Sequence, residues 1–136
     1  MPLHMIKLVV GCDTVEDLLA WRRASATAGE PWLLRTRQTP KRAAEMLEGG
    51  SVYRVFKGQV LCRQAILAIE TVGEGPNARC QVTLGETVVR VVPTPRRAFQ
   101  GWRYLEAGDA PGDLSADVLG EVPPELARQL REMGAW

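Results

Sequence analysis

Histidine is nearly absent from this 136-residue chain, with His4 as its single example. Ser25, Ser51 and Ser115 lack a G-x-S-x-G setting, so the scarcity argues against a Ser–His nucleophile. Cysteine is sparse and odd in number. Cys12, Cys62 and Cys80 form no C-x-x-C pair, and His4 cannot complete a zinc site with them. They read as buried thiols in a reducing compartment. Long apolar runs are also missing. Leu8–Val10 and Val88–Val92, the latter interrupted by Arg90, fall far short of the roughly 18–20 residues of a membrane helix. The opening residues Met1 to Met5 have no basic or apolar leader pattern, so a cytoplasmic protein is expected. Acids in calcium-loop spacing are lacking too. Asp109, Asp113 and Asp117 recur every four residues without D-x-D-x-D-G and read as a solvated loop. Asp13, Glu16 and Asp17 cluster, but helix capping accounts for them. No metal or other cofactor is expected.

What is present is an ordinary globular composition. Hydrophobic residues make up 46%, enough to fill the core of one domain over residues 1–136. The net charge of +1 argues against a purely electrostatic binder, yet it hides strong local asymmetry. Residues 32–63 carry a net +5, residues 90–105 a net +4, and residues 106–125 a net −6. Arginine outnumbers lysine 14 to 3, which suits bidentate contact with phosphate or carboxylate.

Along the chain, Met5–Val10 reads as a buried strand. Asp13 as N-cap with Glu16 as capping-box partner predicts a helix from Thr14 to about Ala26. Trp32–Arg37 reads as a strand. Thr39-Pro40 predicts a second helix, with Thr39 as N-cap and Pro40 in the first turn, stopped by Gly49-Gly50 after Glu48. Val52–Phe56 and Gln59–Val72 predict a hairpin through Lys57-Gly58, the second strand long enough to bend or bulge. Arg79–Leu84 and Thr87–Val92 predict another hairpin, through Gly85-Glu86 and ended by Pro93-Thr94-Pro95. Trp102–Leu105 reads as a last strand, Ala107–Gly120 as a loop, and Pro124–Met133 as a terminal helix. The fold class is α+β: a bent, mostly antiparallel sheet or small barrel with three flanking helices.

Three segments bear on function. In Arg35-Thr36-Arg37-Gln38-Thr39-Pro40-Lys41-Arg42, four cations surround a predicted helix start, the end where positive charge opposes the helix dipole. Such a cluster reads as an anion site. It reads equally as internal pairing, Lys41 to Glu45, or cover by the acidic 106–125 segment. In Arg96-Arg97-Ala98-Phe99-Gln100-Gly101-Trp102-Arg103-Tyr104, three arginines interleave with three of the chain's eight aromatics. Exposed, they would stack bases and hold a phosphate backbone. Buried, they would be core residues with arginine heads snorkelling outward, the reading favoured for Trp102. The stretch from Gly49 to Gly58 lacks P-loop spacing, and its glycines read as a helix stop and a turn.

Taken together, Thr36-Arg37…Pro40-Lys41-Arg42, Gly49-Gly50-Ser51-Val52-Tyr53, Val55-Phe56-Lys57-Gly58, Arg63-Gln64 and the run from Pro95 to Leu105 resemble a family of short bacterial proteins known only as a domain of unknown function. The order of elements is similar, more distantly, to PUA-like domains with their ASCH and EVE branches. That likeness implies a barrel and a role in binding RNA or modified nucleotides, as fold-level analogy.

The expected function is a non-catalytic binding module for RNA or a nucleotide or other phosphate-bearing ligand, with no membrane partner. Arg35, Arg37, Lys41 and Arg42 would hold phosphate, with Thr39 at the same helix start. Arg96, Arg97, Phe99, Gln100 and Arg103 would extend the surface, and Tyr53, Lys57 and Arg63 complete the candidates. Two alternatives stay open: a small enzyme or sensor acting on an anionic metabolite, and a protein-interaction module docking an acidic partner.

Overall fold

The computed structural model describes residues 2–25, 30–97 and 99–114. Among these residues, six strands alternate unevenly with two α-helices: β1 (His4–Leu8), α1 (Val15–Ser25), β2 (Trp32–Thr36), α2 (Ala43–Met46), β3 (Ser51–Phe56), β4 (Gln59–Val72), β5 (Arg79–Pro95) and β6 (Trp102–Leu105). They build one sheet in the order β2-β5-β4-β3-β1-β6. Every neighbouring pair is antiparallel except β1 with β3, so the sheet is mixed. The class is α+β, as the sequence indicates. The sheet is open rather than a closed barrel, because no ladder joins β2 to β6.

The β3–β4 hairpin turns where the sequence predicts it. Lys57 and Gly58 both take positive φ, +46° and +82°, which matches the right-handed twist of the flanking strands. Strand β4 then slips register three times against β5, and the bends curl the sheet. Gly85-Glu86 is not a turn. β5 runs unbroken for 17 residues. Pairing along β4 buries Cys80, Val82, Leu84 and Val91 together, burial that a separate short hairpin would forfeit. The residues around Gly85 are absorbed where the register changes between Gln64↔Val88 and Ile66↔Leu84, with Gly85 against Ala65. Pro93 falls in the slip between Val60↔Thr94 and Cys62↔Arg90, where a missing N–H breaks no ladder bond.

Both helices start later than the sequence suggests. Thr14, not Asp13, caps α1: its Oγ1 accepts the Asp17 N–H at 3.1 Å. Glu16 is thereby free to pair with Arg90 at 2.6 Å. Helix α2 is a single turn. The Thr39 hydroxyl is engaged by Thr71 Oγ1 at 2.7 Å, and Arg42 stands at the N-cap without a capping bond. It ends at Met46, two residues before the predicted Glu48, but the Gly49-Gly50 stop is in place: Gly49 takes φ +101°, and the Gly50 N–H donates to the Met46 carbonyl at 2.8 Å. A Cβ on Gly50 would overlap the carbonyl oxygens of Leu3 and Met46.

The sheet buries both faces. On one, Met5, Val52, Phe56 and Leu84 pack with Val15 and Leu18 of α1 and Met46 of α2. On the other, Ile6, Tyr53, Val55, Val91 and Leu105 pack with Phe99 and Ala110. Strand β3, central and covered on both sides, is buried along its whole length. The 112–114 segment lies along β5, with Leu114 N–H on Arg90 O and Val92 N–H on Gly112 O, both at 2.8 Å. Of the predicted loop Ala107–Gly120, residues 107–109 form a single 3₁₀ turn, and the part beyond 114 lies outside the described residues, as does the predicted helix Pro124–Met133. Cys62 and Cys80 are buried, Cys12 half-buried, and all three are free thiols. Among the described residues, no helix is long and apolar enough to cross a membrane.

Candidate functional site

The two outer strands of the sheet come close at one place. Gln38 lies two residues beyond β2, and its carbonyl accepts the Trp102 indole N–H at 3.0 Å. The Arg42 N–H donates to the Tyr104 hydroxyl at 3.3 Å. Trp102 and Tyr104 sit on one face of β6 and meet edge to face, ring centroids 4.9 Å apart. Side chains thus span the gap that no ladder closes.

Around this junction lie two adjoining grooves. One, of about 360 Å³, is lined by Arg37, Gln38, Gln100, Gly101, Trp102 and Arg103. The other, wider and more open, is lined by Pro95, Arg96, Arg97, Phe99, Arg103 and Tyr104. Arg103 belongs to both. Its Nη1 donates to the carbonyls of Gln100 and Trp102 at 2.8 and 2.9 Å, which fixes the side chain. The Arg103 and Arg96 guanidinium carbons stand 5.3 and 5.7 Å from the Phe99 ring centroid. Arg96 is held in turn by its N–H on Gly58 O at 2.8 Å, at the end of the β3–β4 turn.

Among the described residues, no carboxylate lines either groove. Among the described residues, Arg37, Arg96, Arg97 and Arg103 have no acidic partner, whereas Arg22, Arg42, Arg63 and Arg90 are each ion-paired. The face therefore offers four guanidinium groups uncompensated from within the described fold. It can accept anions, and its flat groups can stack.

Other sequence candidates lie elsewhere. The predicted helix start at Thr39-Pro40 does not form: α2 begins at Ala43, and its single turn supplies neither the row of N–H groups nor the dipole expected to draw an anion there. Arg42 is held by Glu45 at 2.6 Å and Glu106 at 3.3 Å, and the Glu45 hydrogen bond raises its pKa above the ordinary value. The anticipated Lys41–Glu45 pair is replaced by Arg42–Glu45. Arg35 and Lys41 are exposed and line neither groove. Lys57 meets Asp13 at 3.1 Å. Arg63 makes a two-pronged bond to Asp113, both contacts 2.7 Å, which holds the Asp113 carboxyl below the ordinary range. Tyr53 is buried, its ring 5.0 Å from His4. Of the acidic segment, the described Glu106 and Asp113 pair with Arg42 and Arg63.

Gln38, Gly101 and Trp102 are groove residues that the sequence reading did not assign to the site. Trp102 packs on the core as read, yet its indole edge also builds the groove. Nothing local signals this, since Gln38 and Trp102 are 64 residues apart.

These features define a small α+β protein whose described residues place an arginine–aromatic face, without acids of their own, at the open end of its sheet. The chain belongs to the family DUF1489, described as protein of unknown function, whose sequence profile matches residues 5–136. No curated protein matches the chain, and no solved structure does. None of the comparisons links it to PUA-like domains.

Proposed function

We propose that this protein binds single-stranded RNA, or a nucleotide-like phosphate ligand, across the face formed by Arg37, Arg96, Arg97, Phe99, Gln100 and Arg103. One observation carries the reading: Arg96 and Arg103 flank Phe99 in grooves that no carboxylate of the described residues lines. Guanidinium planes and an aromatic ring take unpaired bases by stacking, while the remaining donors hold phosphate oxygens. The grooves are open along the sheet edge, which suits a strand better than an enclosed metabolite.

The test is fluorescence anisotropy with a short labelled single-stranded RNA at two salt concentrations. Four phosphate contacts on a single strand predict about fiftyfold weaker binding at about 200 mM than at about 50 mM salt. No binding at the lower salt sinks the proposal. Binding that ignores salt removes the arginines from it.

A further inference from the structure

Beneath the start of α1 lies a different kind of arginine. Arg54 is only 6% exposed, on the central strand β3. Its one hydrogen bond among the described residues runs from Nη1 to Gln64 Oε1 at 2.9 Å, and Gln64 is itself fully buried. Among the described residues, Arg54 Nε and Gln64 Nε2 have no hydrogen-bond partner. The cross-strand neighbours of Arg54 are Lys7 on β1 and Cys62 on β4. Neither neutralises it. Lys7 is a second cation, and burial pushes the Cys62 thiol up to about 12, so it stays uncharged. A buried cation is ordinarily retained only with an anion beside it, because desolvation costs more than a neutral hydrogen bond returns. The inward-leaning Arg22, Arg63 and Arg90 obey that rule with Glu86, Asp113 and Glu16. Arg54 does not.

Arg54 also lines a pocket of about 210 Å³ walled by Val9, Val10, Cys12, Leu18 and Trp21. We propose that this pocket binds a small carboxylic acid with an apolar body, its carboxylate received by Arg54 and its body by the apolar wall. An apolar cavity of about 150 Å³ accepts benzene, so the space suffices for a ring or branched chain carrying one carboxylate. One uncompensated guanidinium matches one negative charge. A phosphate dianion would find too few donors among apolar walls. The residues differ from those of the RNA-binding face, so either proposal can fail alone.

The full chain is titrated with benzoate and with isovalerate, each against its uncharged amide. Binding is followed by tryptophan emission, since Trp21 walls the pocket, and by calorimetry. At least one acid binds saturably and about tenfold or more tighter than its amide, the margin of a charge-assisted bond. Arg54→Met loses that margin, and Arg103→Ala keeps it. The proposal is overturned if neither acid binds, if acid and amide bind alike, if inorganic phosphate binds in their place, or if Arg54→Met retains the preference. Should Arg54→Met not fold, the acid–amide comparison on the unaltered chain decides.

Discussion

The Trp102 indole N–H reaches the Gln38 carbonyl over 3.0 Å, across the gap between the first and last strands of an open sheet. The bond fixes the 37–42 segment against β6. It also sets the spacing of Arg37 and Arg103 on either side of one groove.

Trp102→Phe keeps most of the ring and loses the N–H. Its cost in urea unfolding is about 1 kcal/mol, the net worth of one hydrogen bond. RNA affinity falls as well, because Arg37 is no longer held opposite Arg103. An unchanged affinity together with lost stability would separate the groove from its support.

Arginines differ in what their loss does. Phe99→Ala and Arg103→Ala each weaken RNA binding by about tenfold, and Arg103→Ala also flattens the salt dependence by about 0.7 in log–log slope. Arg35→Ala and Lys41→Ala, outside both grooves, change affinity less than twofold at about 150 mM salt, where distant surface charges are screened. Equal losses at all four positions would point to diffuse charge attraction instead.

His4 gives the fold a pH dependence. Its Nδ1 accepts the buried Ser51 N–H at 3.0 Å, a bond only the neutral ring can make. Burial first, and the charge of Arg63 second, hold its pKa below the ordinary 6.5. The unfolded chain therefore binds the proton at higher pH than the folded chain does. Stability falls as pH drops from about 6.5 toward the folded value. The melting temperature decreases between about pH 7 and pH 5, and His4→Asn, which keeps an acceptor in place, flattens that slope. Identical profiles for the two proteins would remove His4 from this role.

Gly50 and Gly58 are both glycines at chain reversals, but for different reasons. Gly50→Ala drives a methyl into the Leu3 and Met46 carbonyls, and costs about 3 kcal/mol in denaturant unfolding because both obstacles are backbone. Gly58→Ala meets no atom closer than 3.9 Å and bears only the strain of positive φ, about 1 kcal/mol. The reverse ranking would mean that α2 moves away from β1 to admit the methyl.

The sequence was legible where one residue had one physical option. Lys57-Gly58 sits between two β-rich runs and turns; Gly49-Gly50 follows a helical stripe and stops it. Gly85-Glu86 offers the same local signal, yet bulges, because the decision belongs to the distant partner β4. Thr39-Pro40 has the chemistry of a helix start, but the hydroxyl finds Thr71 first, a contact across 32 residues. Half of the site was legible in the same sense. The arginine–aromatic run 96–104 is continuous and forms a surface of its own. Arg37 joins it through Trp102 and Gln38, Arg42 and Arg63 leave the free set through Glu106 and Asp113, and these contacts have no local signature. Arg54 is the extreme case, since an arginine alternating with apolar residues on a strand reads as solvent-facing until the strand proves central.

Strand β1 is hydrogen-bonded to β3 on one side and to β6 on the other, with His4 opposite Leu105. Of the six described strands, the earliest in the chain is thus completed by the latest. Until residues 102–105 emerge, a nascent chain carries β1 with one open edge, a template for pairing with other chains. Closure across so long a separation is slow for a chain of this size. A message truncated after β5 would leave five of the six described strands, a bare edge on β1, and a protein that aggregates instead of folding.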